Sequence, residues 1–364
     1  MKKTIVLYMF ALTALLAAGT TAFGAPRKDQ TRPAAPTETV SWTDSAGRVV
    51  ELPANIERVA PSGPLAQLVL YTLCPDKIVG WSSDFNTVQK KYFPAPYWNK
   101  PVFGQFYGRG AALNREALIA ARPDVIIDIG QVKGLIKDDM DSIQAQTGIP
   151  VVFVEANLDT MVQAYQALGA ILNERDRAGE LSRYVAETLQ DAAAKSASIP
   201  ENKRLRVFLG EGKAGQDANG AGTIHADVLD CIGAVNVAVM DKVSGGMTGA
   251  SMENIILWNP DVILFGSGGA YDTVQGDPAW KALNAVKNKR YYEVPLEPYS
   301  WMGRPPSINR LLGIKWLGSL LYPGVYTYDM VAEAKRFFAL FYHYELSDAE
   351  ARALMARSTF KDQN

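Results

Sequence analysis

Two segments of the sequence combine arginine and aromatic side chains with glycine. Tyr107 and Arg109 lie in GQFYGRGAAL, and Trp301 and Arg304 lie in LEPYSWMGRPPS. A guanidinium group pairs with carboxylate or catecholate oxygens, whereas an aromatic ring packs on an apolar or planar surface. Glycine lets the backbone approach a bound molecule closely. The two segments therefore predict contacts with a ligand that is bulky, partly planar and anionic.

Three further side chains are candidates for the same site. Trp81 begins WSSDFN directly after the predicted strand KIVG, and Lys213 and His225 lie in the glycine-rich GEGKAGQDANGAGTIH. The backbone amides of that glycine-rich segment, together with Lys213, can hold an anion at the start of the helix that follows. His225 is a hydrogen-bonding or capping residue in one interpretation and a metal ligand in another. Core packing is the alternative role for Trp81, Tyr107 and Trp301.

Composition and motifs argue against several other classes of protein. Only two histidines and two cysteines are present, and neither a Gly-x-Ser-x-Gly motif nor a Gly-Lys-Ser/Thr phosphate loop occurs. Such a chain has few side chains for general acid–base catalysis or for binding a metal. We therefore expect that the protein is not an enzyme and that it holds no resident metal or cofactor. The formal charge of −1 also argues against a nucleic-acid-binding protein. An exported α/β enzyme is the alternative from another class.

The pattern of apolar runs predicts an α/β fold with two similar lobes. Short β-branched strands alternate with amphipathic helices over residues 40–170 and again over residues 201–357. This alternation is typical of mainly parallel sheets that are covered by helices. Residues 171–200 have helical periodicity and predict one long helix that joins the lobes. In such sheets ligands bind beyond the carboxyl ends of the strands, so the candidate residues are sought in the loops that follow strands.

One helix–strand unit occurs twice in the sequence. EALIAARPDVII runs from Glu116 to Ile127, and ENIILWNPDVIL runs from Glu253 to Leu264. Each copy has a glutamate, an apolar helical run, Pro-Asp and an apolar strand, which predicts corresponding units in the two lobes. A glutamate in the first turn of a helix is also favoured by the positive end of the helix dipole.

The N-terminal residues predict an exported protein. Lys2 and Lys3 precede an apolar run that is too short to span a bilayer, and small residues follow it, which is typical of a cleaved signal peptide over residues 1–24. Residues 25–39 are rich in proline and charged side chains and predict a flexible leader. No cysteine lies near the predicted cleavage site, so we expect a periplasmic protein without a lipid anchor.

The chain resembles the periplasmic binding proteins that serve ABC importers of ferric siderophores, haem and cobalamin. The resemblance covers nearly the whole mature chain and rests on the order and spacing of TDSAGRVVELPANIERVA, LCPDKIVGWS, LNREALIAARPDVII, SMENIILWNPDVIL and RYYEVP. It implies two Rossmann-like lobes joined by one long helix, limited closure on the ligand, and a monomer that works with a membrane permease and its ATPase. It also implies that Glu116 and Glu253 dock into arginine pockets of the permease.

The resemblance implies a metal chelate as the ligand, and the arginine and aromatic residues favour a ferric siderophore. Haem, cobalamin and an oxyanion such as molybdate or tungstate are alternatives in the same transport role. Ser82, Ser83 and the glycine-rich segment offer hydroxyls and amides for an oxyanion. Relatives that hold haem through a tyrosine place it closer to the lobe glutamate than Tyr107 is here, which disfavours haem. The ligand site is expected to contain Trp81, Tyr107, Arg109, Lys213, His225, Trp301 and Arg304.

Overall fold

The structure of the protein, a computed structural model, describes residues 38–108, 110–240 and 247–358. The predicted signal peptide, most of the predicted leader and Arg109 lie outside the described residues. Within the described ranges, none of the helices combines the length and the apolar character that a membrane span requires.

The described strands form a hairpin and two sheets. The hairpin pairs β1 (Thr39–Thr43) with β2 (Val49–Pro53). The first sheet contains β3 (Val59–Pro61), β4 (Val125–Gly130) and β5 (Val151–Glu155). The second sheet contains β6 (Arg206–Glu211), β7 (Asp217–Asn219), β8 (Val235–Asn236), β9 (Met247–Gly249), β10 (Val262–Phe265) and β11 (Tyr291–Glu293).

Helices surround the two sheets and connect them. The first lobe contains α1 (Pro64–Leu73), α2 (Ala95–Trp98), α3 (Arg115–Ala121), α4 (Ile136–Thr147) and α5 (Met161–Ile171). The connecting helix is α6 (Arg175–Ala197). The second lobe contains α7 (Asp227–Cys231), α8 (Met252–Trp258), α9 (Ala270–Thr273), α10 (Pro278–Ala282), α11 (Asn284–Lys287), α12 (Asn309–Leu321), α13 (Met330–Phe337) and α14 (Asp348–Leu354).

The first sheet is parallel, in the order β3-β4-β5, and both of its faces are covered. Successive residues of β4 point to opposite faces, as the strand period of two requires. Ile126 packs into one core with Met140 and Ile143 of α4. Ile127 packs into a second core together with residues of α1 and α5. Burial on both faces explains why this strand is a continuous apolar run rather than an alternating one.

The second sheet has the order β11-β10-β6-β7-β9, and β8 pairs with β6. β6, β8, β10 and β11 are parallel to one another, whereas β7 pairs antiparallel with both β6 and β9 at one side of the sheet. The glycine-rich segment of the sequence therefore contributes a tight turn and an antiparallel strand, which the pattern of the sequence alone did not predict.

The connecting helix α6 contains 23 residues and packs on both lobes. At the usual rise per residue it is about 35 Å long. It contacts α1 and α5 in the first lobe and α7 and α12 in the second. The structure thus confirms the predicted architecture of two α/β lobes, with mainly parallel sheets, joined by one long helix.

A candidate ligand cavity between the lobes

A cavity of about 700 Å³ lies between the two lobes. The first lobe lines it with Pro64 and Leu65, with residues near Tyr107, and with residues from 129 to 139. The second lobe contributes Ile224, His225, Pro305 and Pro306. Its volume is within the range of about 300–1,000 Å³ that is usual for small-molecule sites. Because both lobes line it, a bound molecule would contact both.

The position of the cavity follows from the topology of the first sheet. β3 ends at Pro61 and leads into α1, and β4 ends at Gly130, where the cavity lining begins. Ligands of parallel α/β sheets bind outside the carboxyl ends of the strands. The starts of α1 and α4 also border the cavity, and no side chain caps either helix. The partial positive charge at the start of α1 favours an anionic group in the cavity, whereas Asp138 and Asp139 in the first turn of α4 offset the positive charge there.

Tyr107 is the predicted ligand residue that lines the cavity from the first lobe. Its hydroxyl donates a hydrogen bond to Asp128 Oδ2 at 2.6 Å. The hydroxyl of Ser62 donates to the other oxygen of the same carboxyl. Burial raises the pKa of Asp128, while the two hydroxyl donors oppose that shift. Burial and the neighbouring Asp128 also raise the pKa of Tyr107, which therefore stays a neutral phenol at physiological pH.

His225 lines the cavity from the second lobe. Its Nδ1 lies 2.8 Å from the carbonyl oxygen of Gly303. A carbonyl only accepts hydrogen bonds, so Nδ1 carries the proton and Nε2 keeps its lone pair. Burial lowers the pKa of His225, with a smaller contribution from the positive charge of Arg304. The ring is therefore neutral at pH 7 and offers Nε2 as an acceptor or a metal ligand.

Arg304 does not line the cavity, although the residues that follow it do. Its Nε donates to Glu211 Oε1 at 2.9 Å, and its Nη2 donates to Asn219 Oδ1 at 3.0 Å. Glu211 is buried and also accepts from Ser267 Oγ at 2.9 Å. The guanidinium thus binds residues of its own lobe, and these contacts position the backbone that leads into Pro305 and Pro306, which line the cavity.

Trp81 and Trp301 lie in the core rather than at the cavity, and each is 1% exposed. The indole of Trp81 donates to the carbonyl of Tyr97 at 2.6 Å and packs edge-on against Phe85. The indole of Trp301 donates to the carbonyl of Glu297 at 3.1 Å. A buried indole N–H normally finds such a partner. Both side chains therefore support the lobes from inside, which is the core-packing role noted for them above.

Lys213 is exposed at the turn between β6 and β7, away from the cavity lining. The helix after the glycine-rich segment, α7, is only five residues long and has Asp227 and Asp230 in its first turn. The negative charges of these two carboxylates at the N-terminal end of α7 disfavour the binding of an anion there. The structure thus places Lys213 outside the cavity lining, and the anion site at the glycine-rich segment stays a prediction.

Among the described lining residues, Lys133 is the only lysine or arginine, and Asp139 lies on the same stretch of chain. Gln105 and Gln131 add amide groups, and the remaining lining is largely apolar or backbone. The cavity thus offers one cation, one carboxylate, a phenol, an imidazole and several amides. Such a mixture suits a ligand with an apolar body and a few oxygen atoms.

Arg310 is the residue that sequence reasoning missed and that shapes the second-lobe wall. It is fully buried, and its Nη1 lies 2.7 Å from Asp227 Oδ2. The guanidinium also donates to the carbonyls of Ile224, Pro306 and Ser307. Two of these carbonyls belong to residues that line the cavity. An arginine inside a largely apolar helix carries no signal of its tertiary partners, so this role could not be predicted from the sequence.

Glu116 and Glu253 are exposed in the first turns of α3 and α8. The two helices have the same design: Asn114 and Ser251 cap them, and Arg122 and Asn259 end them in the left-handed conformation. Hydrogen bonds from its own backbone amide and from Ser251 lower the pKa of Glu253. Both glutamates stand outside the cavity lining, so they are available to a partner and not to the ligand.

The lowered pKa of His225 predicts that the stability of the folded protein depends on pH. Its pKa in the folded protein is below the ordinary 6.5. As pH falls below 6.5, the unfolded chain takes up the proton before the folded chain does, so the free energy of unfolding decreases. His343 has a lowered pKa too and adds to the same trend. In His225→Gln, we expect a shallower slope of unfolding free energy against pH between about pH 5 and 6.5; an unchanged slope in urea titrations would contradict this.

Comparison with known proteins identifies relatives over most of this fold. The sequence matches the periplasmic binding protein family over residues 68–298. It is 24% identical over 235 residues to the molybdate-binding protein MolA of Haemophilus influenzae. That match covers 58% of the present chain and 64% of MolA, which is just under two thirds of the relative's length.

Solved structures show the same likeness. An ABC transporter solute binding protein from Sulfurospirillum deleyianum superposes with a TM-score of 0.80 and 29% identity, covering 87% of this chain and 99% of that one. CeuE of Helicobacter pylori, in a Ni-His complex, has a TM-score of 0.66 and 20% identity, with 87% and 99% coverage. At that identity the second likeness shows the fold alone. The family match spans more than half of the chain, so this protein belongs to the periplasmic binding protein family and has the two-lobed, helix-bridged fold of ABC transporter binding proteins.

Proposed function

We propose that this protein captures a metal chelate, of the ferric siderophore class, and delivers it to the permease of an ABC importer. The observation that carries the proposal is the cavity of about 700 Å³ between two lobes of a periplasmic binding protein. Family membership supports the transport role, and the size and lining of the cavity support the class of ligand.

The volume of the cavity argues for a large ligand. A tetrahedral oxyanion displaces only a few water molecules, each of which takes about 30 Å³. Such an ion would leave most of the cavity filled with solvent. A chelate has the size to touch Tyr107 and Leu135 in the first lobe and His225 and Pro306 in the second at the same time.

The electrostatics of the cavity support a ligand with a modest negative charge. Lys133 and the start of α1 provide positive potential, and Asp138 and Asp139 in the first turn of α4 partly offset it. The neutral phenol of Tyr107 and the neutral ring of His225 can interact with ligand oxygens or with an exposed metal. Arg109 lies outside the described residues, and its role as a ligand contact stays a proposal from the sequence.

An oxyanion is the second candidate, because the relative MolA is named as a molybdate-binding protein. Uncapped helix starts are suitable partners for such an ion. In that case the backbone amides at the start of α1 would do most of the binding. The bulky apolar lining would contribute little to the affinity.

A ligand panel distinguishes these candidates. Ferric siderophores, haem, cobalamin and molybdate are titrated separately against the protein, and intrinsic tryptophan fluorescence and native mass spectrometry report binding. We expect one sub-micromolar chelate with 1:1 stoichiometry and no chemical turnover, because affinity of that order corresponds to about 8 kcal/mol or more. Tight binding of molybdate alone would overturn the chelate proposal. Conversion of a bound compound into a product would indicate an enzyme instead.

Export and docking complete the proposal. We propose that residues 1–24 are removed and that the mature protein is free in the periplasm without a lipid anchor. Intact mass measurement of protein from the periplasmic fraction tests this, since a lipid would add mass to the N-terminus. We further propose that Glu116 and Glu253, one exposed acid on each lobe, pair with arginines of the permease.

A further inference from the structure

The repeated helices α3 and α8 present more than a glutamate to solvent. Three residues after Glu116 is Ile119, which is 49% exposed, and three residues after Glu253 is Ile256, which is 48% exposed. Residues three apart lie on the same face of a helix. Between the acid and the isoleucine, each helix has one completely buried side chain, Leu118 in α3 and Ile255 in α8. Both lobes therefore display an acid beside a half-exposed isoleucine, and the second lobe adds Leu257, 82% exposed, where the first lobe has Ala120.

Each of these faces is held by the same set of hydrogen bonds. In the first lobe, Asp124 Oδ2 accepts from the amide of Arg58 at 2.8 Å, and Arg58 Nη2 donates to the carbonyl of Ala121. In the second lobe, Asp261 Oδ2 accepts from the amide of Arg206 at 2.8 Å, and Arg206 Nη2 donates to the carbonyl of Trp258 at 2.8 Å.

In each lobe, an arginine at the start of a strand thus donates a hydrogen bond to a carbonyl at the C-terminal end of the helix. The aspartate that precedes the neighbouring strand fixes that arginine through its backbone amide. Arginine near the last carbonyls of a helix is favourable in itself. These contacts are repeated although the two lobes differ elsewhere, for example in the antiparallel strands of the second sheet. Both lobes therefore hold the C-terminal end of this helix by the same kind of contact.

We infer that Glu116 with Ile119 and Glu253 with Ile256 form the two halves of one docking surface, and that each isoleucine enters an apolar socket beside the cation that receives the glutamate. The inference rests on the proposed docking role of the glutamates and extends it to the isoleucines. The partner is a membrane permease built from two copies of one subunit. A partner with two equal sockets suits a protein that shows the same face twice.

The charged and the apolar side chains of this surface affect different steps of binding. Among the described residues, neither glutamate takes part in a salt bridge, so each is available to a cation of the partner. Charge complementarity sets the rate and the register of encounter. Burial of a half-exposed isoleucine then slows dissociation, because apolar area leaves water only in the formed complex.

The test is the affinity between this protein and its permease–ATPase complex. The complex whose deletion stops uptake in the parent organism is purified in nanodiscs, and binding is measured by biolayer interferometry. The double variant Ile119→Gln/Ile256→Gln keeps the helices and removes the apolar contact. Val49→Gln/Val239→Gln is the control, since both valines are exposed and lie outside α3 and α8. Glu116→Gln/Glu253→Gln tests the proposed docking role separately.

We expect the isoleucine pair to weaken binding by about tenfold or more, mainly through faster dissociation, and the valine pair to leave it unchanged. If the glutamate pair weakens binding but the isoleucine pair stays within about twofold of the unmodified protein, the inference is wrong and the docking proposal stands. An equal loss in the valine pair would also contradict the inference. If neither the glutamate pair nor the isoleucine pair weakens binding, the proposed docking surface is wrong altogether.

Discussion

Replacing Arg310 with alanine is expected to lower the free energy of unfolding by roughly 3–5 kcal/mol. The guanidinium is fully buried, and its loss would leave the Asp227 carboxylate and three backbone carbonyls without their donor. A buried polar group that loses its partner keeps the full cost of desolvation. Burial lowers the pKa of Arg310 only to about 10, so this side chain is charged at physiological pH.

Urea unfolding followed by circular dichroism measures this loss, and Arg336→Ala is the matched control. Arg336 pairs with Glu187 at 3.4 Å, and both side chains are more than half exposed. An exposed pair of this kind contributes at most about 1 kcal/mol. Similar losses of unfolding free energy in the two variants would show that the buried contacts of Arg310 contribute no more than an exposed ion pair. Because Ile224 and Pro306 line the cavity, the Arg310 variant should also bind ligand more weakly wherever it remains folded.

Reversing both docking charges, in Glu116→Arg/Glu253→Arg, is expected to reduce uptake to background while ligand affinity stays intact. Each reversal replaces attraction to a permease arginine with repulsion, and like charges across an interface cost several kcal/mol. Both residues are exposed and outside the cavity lining, so neither the fold nor the ligand site depends on them. Single reversals should give intermediate uptake, because one lobe can still dock.

Uptake of labelled ligand in cells that carry only the variant gene is the appropriate measurement, and fluorescence titration of the purified variant controls for ligand binding. Normal uptake by the double variant would reject the docking role of the glutamates. Loss of ligand affinity in that variant would indicate that the substitutions disturb the lobes, which their exposure does not predict.

The repeated helix–strand unit is the feature that sequence reasoning predicted best. Its periodicity, Pro-Asp boundary and first-turn acid are local properties, and local properties can be read from a sequence. The long helix α6 was predicted for the same reason, since its helical period continues through 23 residues. The equivalence of Ile119 and Ile256 also lies in the repeat, but their equal exposure became visible only in the folded chain.

The identity of the ligand residues was harder to predict, because it depends on which side chains find partners elsewhere in the chain. Trp81 and Trp301 lie in segments that were predicted to be ligand-binding loops, with core packing as the alternative, and carbonyls of Tyr97 and Glu297 accept from their indoles inside the core. Arg304 was predicted as a ligand contact, but Glu211, far away in the sequence, holds its guanidinium. Tyr107 was placed at the cavity by the strand-end rule, which depends on topology rather than on individual contacts.

The claim at the centre of this account is that the ligand lies in the cavity between the lobes, and a blocking substitution tests it most directly. Gly134 lines the cavity, and open space surrounds the position that a side chain would take. Gly134→Trp should therefore place an indole at the edge of the cavity without straining the fold. Gly179→Trp, at an exposed position on α6 with equally open surroundings, is the control.

The measurement is the dissociation constant of the chelate selected by the panel, obtained by native mass spectrometry for the unmodified protein and both variants. We expect Gly134→Trp to weaken binding by about a hundredfold or more, because the indole occupies the space that the ligand needs. Gly179→Trp should bind like the unmodified protein. Unchanged affinity in Gly134→Trp would contradict the account, since the ligand would then bind outside this cavity.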